Sequence, residues 1–247
     1  MTDPANSGST EEFSKQSEEL NIESRYRVAV RFAVQGDLRF ISHHDTMRMF
    51  EKALVRAGLP LRYSGGFNPR PRISLPVPRP VGVATEADIL VLELAEPVEP
   101  ADVMSLLAAQ LPQGVRPAGA WKVRSGRGYR IDAVEYAVEL APDLARHVEP
   151  ALKRLLESET WVVSRKACDR DGARPMDVRS CLVDAGVDAG VIRWRVRVEG
   201  GSIRPAEFLA AIGLDPAAWR HRVTRTAIIG GPSEPDAGPQ RPATPES

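Results

Sequence analysis

Cysteine is almost missing from this sequence. Cys168 and Cys181 are the only two in 247 residues, and they do not form a C-x-x-C pair. A disulfide scaffold is excluded, and a reducing cytoplasm is the expected compartment. Long apolar runs are missing as well. No stretch approaches the roughly 20 residues of a membrane helix, and no apolar signal core stands at the N-terminus, so a soluble protein with no membrane partner is expected. Histidine is scarce. His43, His44, His147 and His221 have no zinc-like spacing, and no metal is expected. There is no P-loop, dinucleotide-binding glycine motif or hydrolase elbow, and no cofactor is expected. Ser64-Gly65-Gly66-Phe67-Asn68-Pro69 carries glycines but does not lead into a helix, so it is not a phosphate cradle of the usual kind.

Lysine is the last scarcity, at five residues, so the positive charge is nearly all arginine. Arginine suits phosphate through its planar fork, although a chain rich in Ala, Arg, Pro and Gly also reflects codon composition. The formal charge is zero but unevenly spread: residues 1–24 carry a net of −5, residues 231–247 a net of −2, and residues 25–230 a net of +7. Both ends are polar, acidic and poor in large apolar residues, and are expected to be disordered tails.

Between the tails the same order of elements occurs twice. Residues 25–32 alternate as a strand, and Ser42 caps a helix with Asp45 completing a capping box. Met47, Phe50, Leu54 and Ala57 form its stripe, and Gly58-Leu59-Pro60 ends it. "LPLRYS" reads as a short strand, 87–94 as another, 100–111 as a helix and "VRPAGAWKV" as a strand. In the second half, 133–140, 160–166, 191–198 and 219–229 read as strands. Helices are expected over 144–157, with Pro150 a possible true start, and over 205–212. Two βαββαβ units predict an α+β fold of two tandem ferredoxin-like domains with antiparallel sheets, at 25–124 and 130–230.

Each half has a long connection before its third strand, at 65–86 and 167–189. "RYSGGFNPRPRISLPVPRPVG" (62–82) holds four arginines, five prolines and no acid, while Ile73, Leu75, Val77 and Val81 pin it to the body. It reads as an extended loop offering Arg62, Arg70, Arg72 and Arg79 to solvent, or equally as an edge ribbon with incidental arginines. Alternation puts Arg25, Arg27 and Arg31 on one face of the first strand, and Arg193, Arg195 and Arg197 on one face of the strand at 191–198. Glu135 and Glu139 are placed to neutralise the second stripe, whereas Glu93 alone opposes the first. The first sheet and its loop are therefore the expected anion-binding surface, with RNA as the ligand. Neither stripe has a stacking aromatic, so backbone contact is favoured over base readout.

"SHHD" (42–45) is the one cluster of catalytic residue types. A capped helix start with incidental histidines weighs against a general acid or a phosphate contact there, with His43 partly packed and His44 freer. In the second connection, Asp177 reads as structural, paired with Arg179; Arg165, Lys166 and Arg179 could otherwise extend the basic surface.

The segment 36–94 resembles the radical SAM-linked, or radical SAM-associated, domain family of unknown function. The resemblance rests on Gly36, Ser42-His43, Asp45, Arg48, Glu51-Lys52-Ala53, Ala57-Gly58-Leu59-Pro60, Gly65, Phe67-Asn68-Pro69-Arg70-Pro71 and Gly82. It continues through Asp177-Val178-Arg179, Arg204-Pro205 and Thr224-Arg225, so that it covers about residues 25–230. The family pattern has an apolar residue where this chain has His44. The resemblance implies a bacterial protein encoded beside, or fused to, a radical SAM enzyme with a cobalamin-binding-type domain, often near ribonuclease E/G genes. With no C-x-x-x-C-x-x-C, the chain cannot itself supply the three cysteine ligands of such a cluster. The expectation is a non-catalytic accessory protein that binds RNA or presents substrate. The alternatives are a module docking on the radical SAM partner through Phe67, Ile73 and Leu75, and a metal-independent endoribonuclease using His43 or His44.

Overall fold

The computed structural model describes residues 26–123, 129–166, 173–198 and 202–230. Arg25, both expected tails and most of the expected domain boundary lie outside them. The first half runs β1 (Tyr26–Val34), a 3-10 turn (Gly36–Phe40), α1 (His43–Arg56), β2 (Ile73–Ser74), β3 (Ala84–Leu94), α2 (Pro100–Ala108) and β4 (Val115–Val123). The second runs β5 (Ala133–Glu139), α3 (Pro142–Glu157), β6 (Val162–Lys166), β7 (Ala173–Asp177), α4 (Val178–Cys181), β8 (Leu182–Asp188) and β9 (Val191–Arg197). It ends with α5 (Pro205–Ala211), α6 (Pro216–Trp219), a 3-10 turn (Arg220–Arg222) and β10 (Thr224–Ile229).

This is a mixed α+β fold built on one mostly antiparallel sheet, in the order β4-β1-β3-β10-β5-β9-β8, with β2 also paired to β3. The order within each half is the same, β4-β1-β3-β2 and β10-β5-β9-β8. Where separate sheets were expected, β10 pairs parallel to β3 through Thr224↔Ala84 and Arg225↔Thr85. The cause is a mismatch of length. β3 has 11 residues, but β2 pairs only with Leu92 and Val91, leaving the N-terminal end of β3 open to β10.

Alternation on β1 works as read. Val28, Val30, Phe32 and Val34 pack with Phe50 and Leu54 of α1 and Val103 and Leu107 of α2. In the second half Trp194 stacks on Phe208 at 4.3 Å and on Tyr136 at 5.5 Å. α1 starts as expected: the Ser42 hydroxyl accepts from the Asp45 N–H (3.1 Å) and donates to the Asp45 carboxylate (2.7 Å). It stops at Gly58, whose φ of +67° disfavours any residue with a Cβ.

Several expectations need correction. α3 begins at Pro142 and runs through Pro150, which lies on its exposed side. "LPLRYS" makes only isolated bridges, Leu61↔Leu94 and Tyr63↔Pro71. β6 does not join the main sheet; it pairs with β7 in a ribbon, and the place beside β9 is taken by β8. β8 escapes a periodicity reading because it is an edge strand, largely exposed and rich in Asp and Gly. Residues 219–223 complete a helical turn, so the last strand starts at Thr224.

Candidate nucleic-acid interface

The sheet face opposite the helices is not an open arginine surface. Ala29, Ile89, Val91, Trp121 and Val123 are buried there as a small second core. Arg27 and Arg31 lie among them half-buried. Arg27 approaches Glu93 at 4.0 Å, and Arg31 donates to the Ala118 carbonyl at 3.2 Å. The sequence pattern concealed this because Trp121 and Ile89 come from neighbouring strands, and a stripe on one strand shows nothing of what flanks it. The second stripe is neutralised only in part: Arg195 bridges Glu135 (3.3 Å) and Asp184 (3.2 Å), while Arg197 donates to the Ser180 carbonyl at 3.3 Å.

The loop after α1 splits into two parts with opposite character. Residues 62–72 form a small hairpin: the Arg72 N–H donates to the Arg62 carbonyl and the Ser64 N–H to the Arg70 carbonyl, both at 2.8 Å. The Ser64 hydroxyl accepts from the Arg70 N–H at 3.0 Å. The tip, Gly65, Gly66, Phe67, Asn68, Pro69 and Arg70, is exposed throughout, and Phe67 stands completely clear of the body. Arg72 is exposed too, though it lies 3.7 Å from Glu93. Arg62 is half-buried. Ile73 and Leu75 are half-buried and pack on the first core. Pro71 borders a shallow apolar depression with Lys52 and Val55 of α1; Val55 and Tyr63 are exposed beside it.

Arg79, Gly82 and Val83 turn inward instead, whereas Val81, expected to pin the loop to the body, is exposed. Arg79, expected in solvent, is buried, with 5% of its side chain exposed. It lies 3.4 Å from Asp88 and donates to the carbonyls of Val83 (2.6 Å) and Arg39 (3.0 Å). Asp88 also accepts from Arg225 of β10 at 2.9 Å. Arg225 is fully buried and donates further to the carbonyls of Val77 and Pro78 and to the Tyr136 hydroxyl. Thr85 closes the group, donating to Asp88 at 2.8 Å. Between Phe32↔Asp88 and Val34↔Thr85 the register slips, and that bulge brings Thr85 and Asp88 to the same face. Burial disfavours the charge on Arg225, but Asp88 and Tyr136 outweigh it and its pKa is raised. Burial, only partly countered by Asp88, lowers that of Arg79, and the nearby Arg225 cation lowers it further. Sequence reading missed Asp88, Tyr136 and the burial of Arg225, because residues 137 positions apart meet only in the folded sheet.

In "SHHD", His43 is half-buried and His44 exposed. Asp177 is structural: it caps α4, accepting from the N–H groups of Trp161 (2.9 Å) and Arg179 (3.0 Å). Those bonds hold its carboxyl below the ordinary value, that from Trp161 most strongly. The Arg179 side chain turns away, to the carbonyls of Leu156 and Leu182. Arg165 pairs with Glu207 and also donates to the Ser202 carbonyl at 2.8 Å. Among the described residues no group of His, Cys, Asp and Glu is placed to hold a metal ion, and no helix is long and apolar enough to cross a membrane.

Residues 27–205, well over half of the chain, match the model of a family described as "Uncharacterized protein conserved in bacteria (DUF2344)". The chain belongs to this family. No curated protein matches it. The DUF2344 span takes in α1, the hairpin and Asp88, and stops before Arg225.

Proposed function

We propose that this DUF2344 protein is a non-catalytic, cytoplasmic RNA-binding accessory protein that serves a radical SAM enzyme. The radical SAM association rests on the sequence resemblance, and the strand order of each half supports two ferredoxin-like units joined edge to edge. The observation that carries RNA binding is the hairpin at 62–72, which holds Phe67 clear of the body beside exposed Arg70 and Arg72. An exposed aromatic flanked by guanidiniums is the chemistry that grips single-stranded nucleic acid, by stacking on a base and pairing with phosphates. Tyr63 and Lys52 extend the same surface. The two halves of the loop divide the work: Arg79 anchors, and the tip contacts. Of the seven arginines expected to bind RNA, Arg70 and Arg72 are the ones this reading retains, because Arg25 lies outside the described residues, Arg27, Arg31 and Arg62 are half-buried and the Arg79 side chain is 5% exposed.

The test is binding of the purified chain to bulk tRNA and ribosomal RNA fragments across a salt series. Affinity should fall as salt rises, and Arg70→Ala/Arg72→Ala should flatten the log–log slope by about 1.4. Phe67→Ala should weaken binding at every salt concentration with the slope unchanged. Absence of binding at low salt overturns the reading and turns the search to a protein partner that docks on Phe67.

A further inference from the structure

On the helix side of the sheet, the two halves leave a cleft of about 590 Å³ between them. Its walls bring His43 of α1 and Arg79 from the first half against Arg204 and Arg220 from the second. Among the described residues no carboxylate lines it. That sets it apart from the groove on the opposite face, where Glu86 and Glu139 stand beside Arg193 and Arg222. A neighbouring cleft shares Arg204 and Arg220 and does contain Glu207 and Asp215, but both acids are engaged. Glu207 holds Arg165 and the Arg204 N–H, and Asp215 caps α6 through the Ala217 N–H at 3.0 Å.

Three features point to an anion. The side chains of Arg204 and Arg220 are exposed and have no hydrogen bond or ion pair among the described residues. His43 Nδ1 is buried without a hydrogen-bond partner. Arg79, in the wall, shares the carboxylate of Asp88 with Arg225 behind it. The buried group therefore keeps an excess positive charge, which a negative charge across the wall would offset. The rest of the lining is apolar, including Pro80, Val81 and Val83, and that suits an organic body better than a bare ion.

We propose that this cleft binds a small organic phosphate, a phosphomonoester carried on an apolar or aromatic body. Arg204 and Arg220 grip the phosphate, His43 borders it, and the Pro80–Val83 wall packs on the body. The site is independent of the RNA surface, which lies on the hairpin.

Phenyl phosphate is the probe, titrated calorimetrically into the full chain, with inorganic phosphate and phenol as separate arms. One-site saturation by phenyl phosphate is expected, with weaker binding of inorganic phosphate and none of phenol. Arg204→Ala/Arg220→Ala should weaken phenyl phosphate about tenfold or more for each guanidinium removed, while urea unfolding stays at the parent midpoint. Arg70→Ala/Arg72→Ala should leave this affinity unchanged, so loss of RNA binding and loss of this site are read separately. Lack of saturation at millimolar probe overturns the proposal, as does equal affinity for the parent and the Arg204/Arg220 double variant. Equal affinity for inorganic and phenyl phosphate overturns the organic body.

Discussion

Both halves carry an insertion between their first helix and the strand that pairs with their first strand, and they fasten it with different chemistry. In the first half the inserted loop is fastened by charges taken largely out of water, Arg79 and the fully buried Arg225 around Asp88. Its tip is left basic and aromatic. In the second half the inserted ribbon of β6 and β7 is fastened at the periphery, by Asp177 capping α4 and by Arg165 on Glu207, while the nearby sheet face offsets Arg195 with Glu135 and Asp184. A strong buried anchor lets the rest of a loop stay exposed and reactive. A set of ties nearer the surface pairs Arg165 and Arg195 with carboxylates and leaves Arg204 and Arg220 exposed.

The largest test of that contrast is Asp88→Ala. It strands two buried guanidiniums and should cost about 3–5 kcal/mol in urea unfolding; a cost below about 1 kcal/mol would show that the anchor is not what holds the loop. Glu207→Ala comes next, freeing Arg165 and uncapping the Arg204 N–H, and should cost about 1–3 kcal/mol by the same measurement. Asp177→Ala should cost about 1 kcal/mol at neutral pH. Its dependence on acid follows from the lowered carboxyl pKa. The contribution is complete above the unfolded value of about 3.9 and is lost as the pH falls through the lower folded value, so parent and variant stabilities should converge below about pH 4. The smallest effect belongs to the tip: Arg70→Ala/Arg72→Ala should move the unfolding midpoint by no more than about 0.5 kcal/mol equivalent, although it impairs RNA binding.

Much of the first half was legible because its signals are local. Ser42 with Asp45 starts α1, Gly58 ends it, and Val28 to Val34 alternate against Phe50 and Leu54. What escaped was non-local. Beyond Leu182, the core-facing side of β8 is only the half-buried Ala185 and Val187, too slight to announce a strand, and the parallel pairing of β10 with β3 involves two residue pairs distant in sequence. The fate of Arg79 turned on Asp88 and Arg225, neither adjacent to it, so a run of arginines read as one surface separated into an anchor and a contact. Trp121 buried the first arginine stripe for the same reason.

The position of β10 also governs when this protein can finish folding. The last described strand in the sequence lies at the middle of the sheet order, between β3 and β5. Until residues 224–229 have left the ribosome, β3 and β5 each present an unpaired edge, and Asp88 sits beside Arg79 without its second cation. Synthesis from the N-terminus thus produces two partial sheets with adhesive borders, closed only by the final stretch of this fold. Shortening the chain from its C-terminal side into β10 would leave that closure undone and expose both borders to association with other chains.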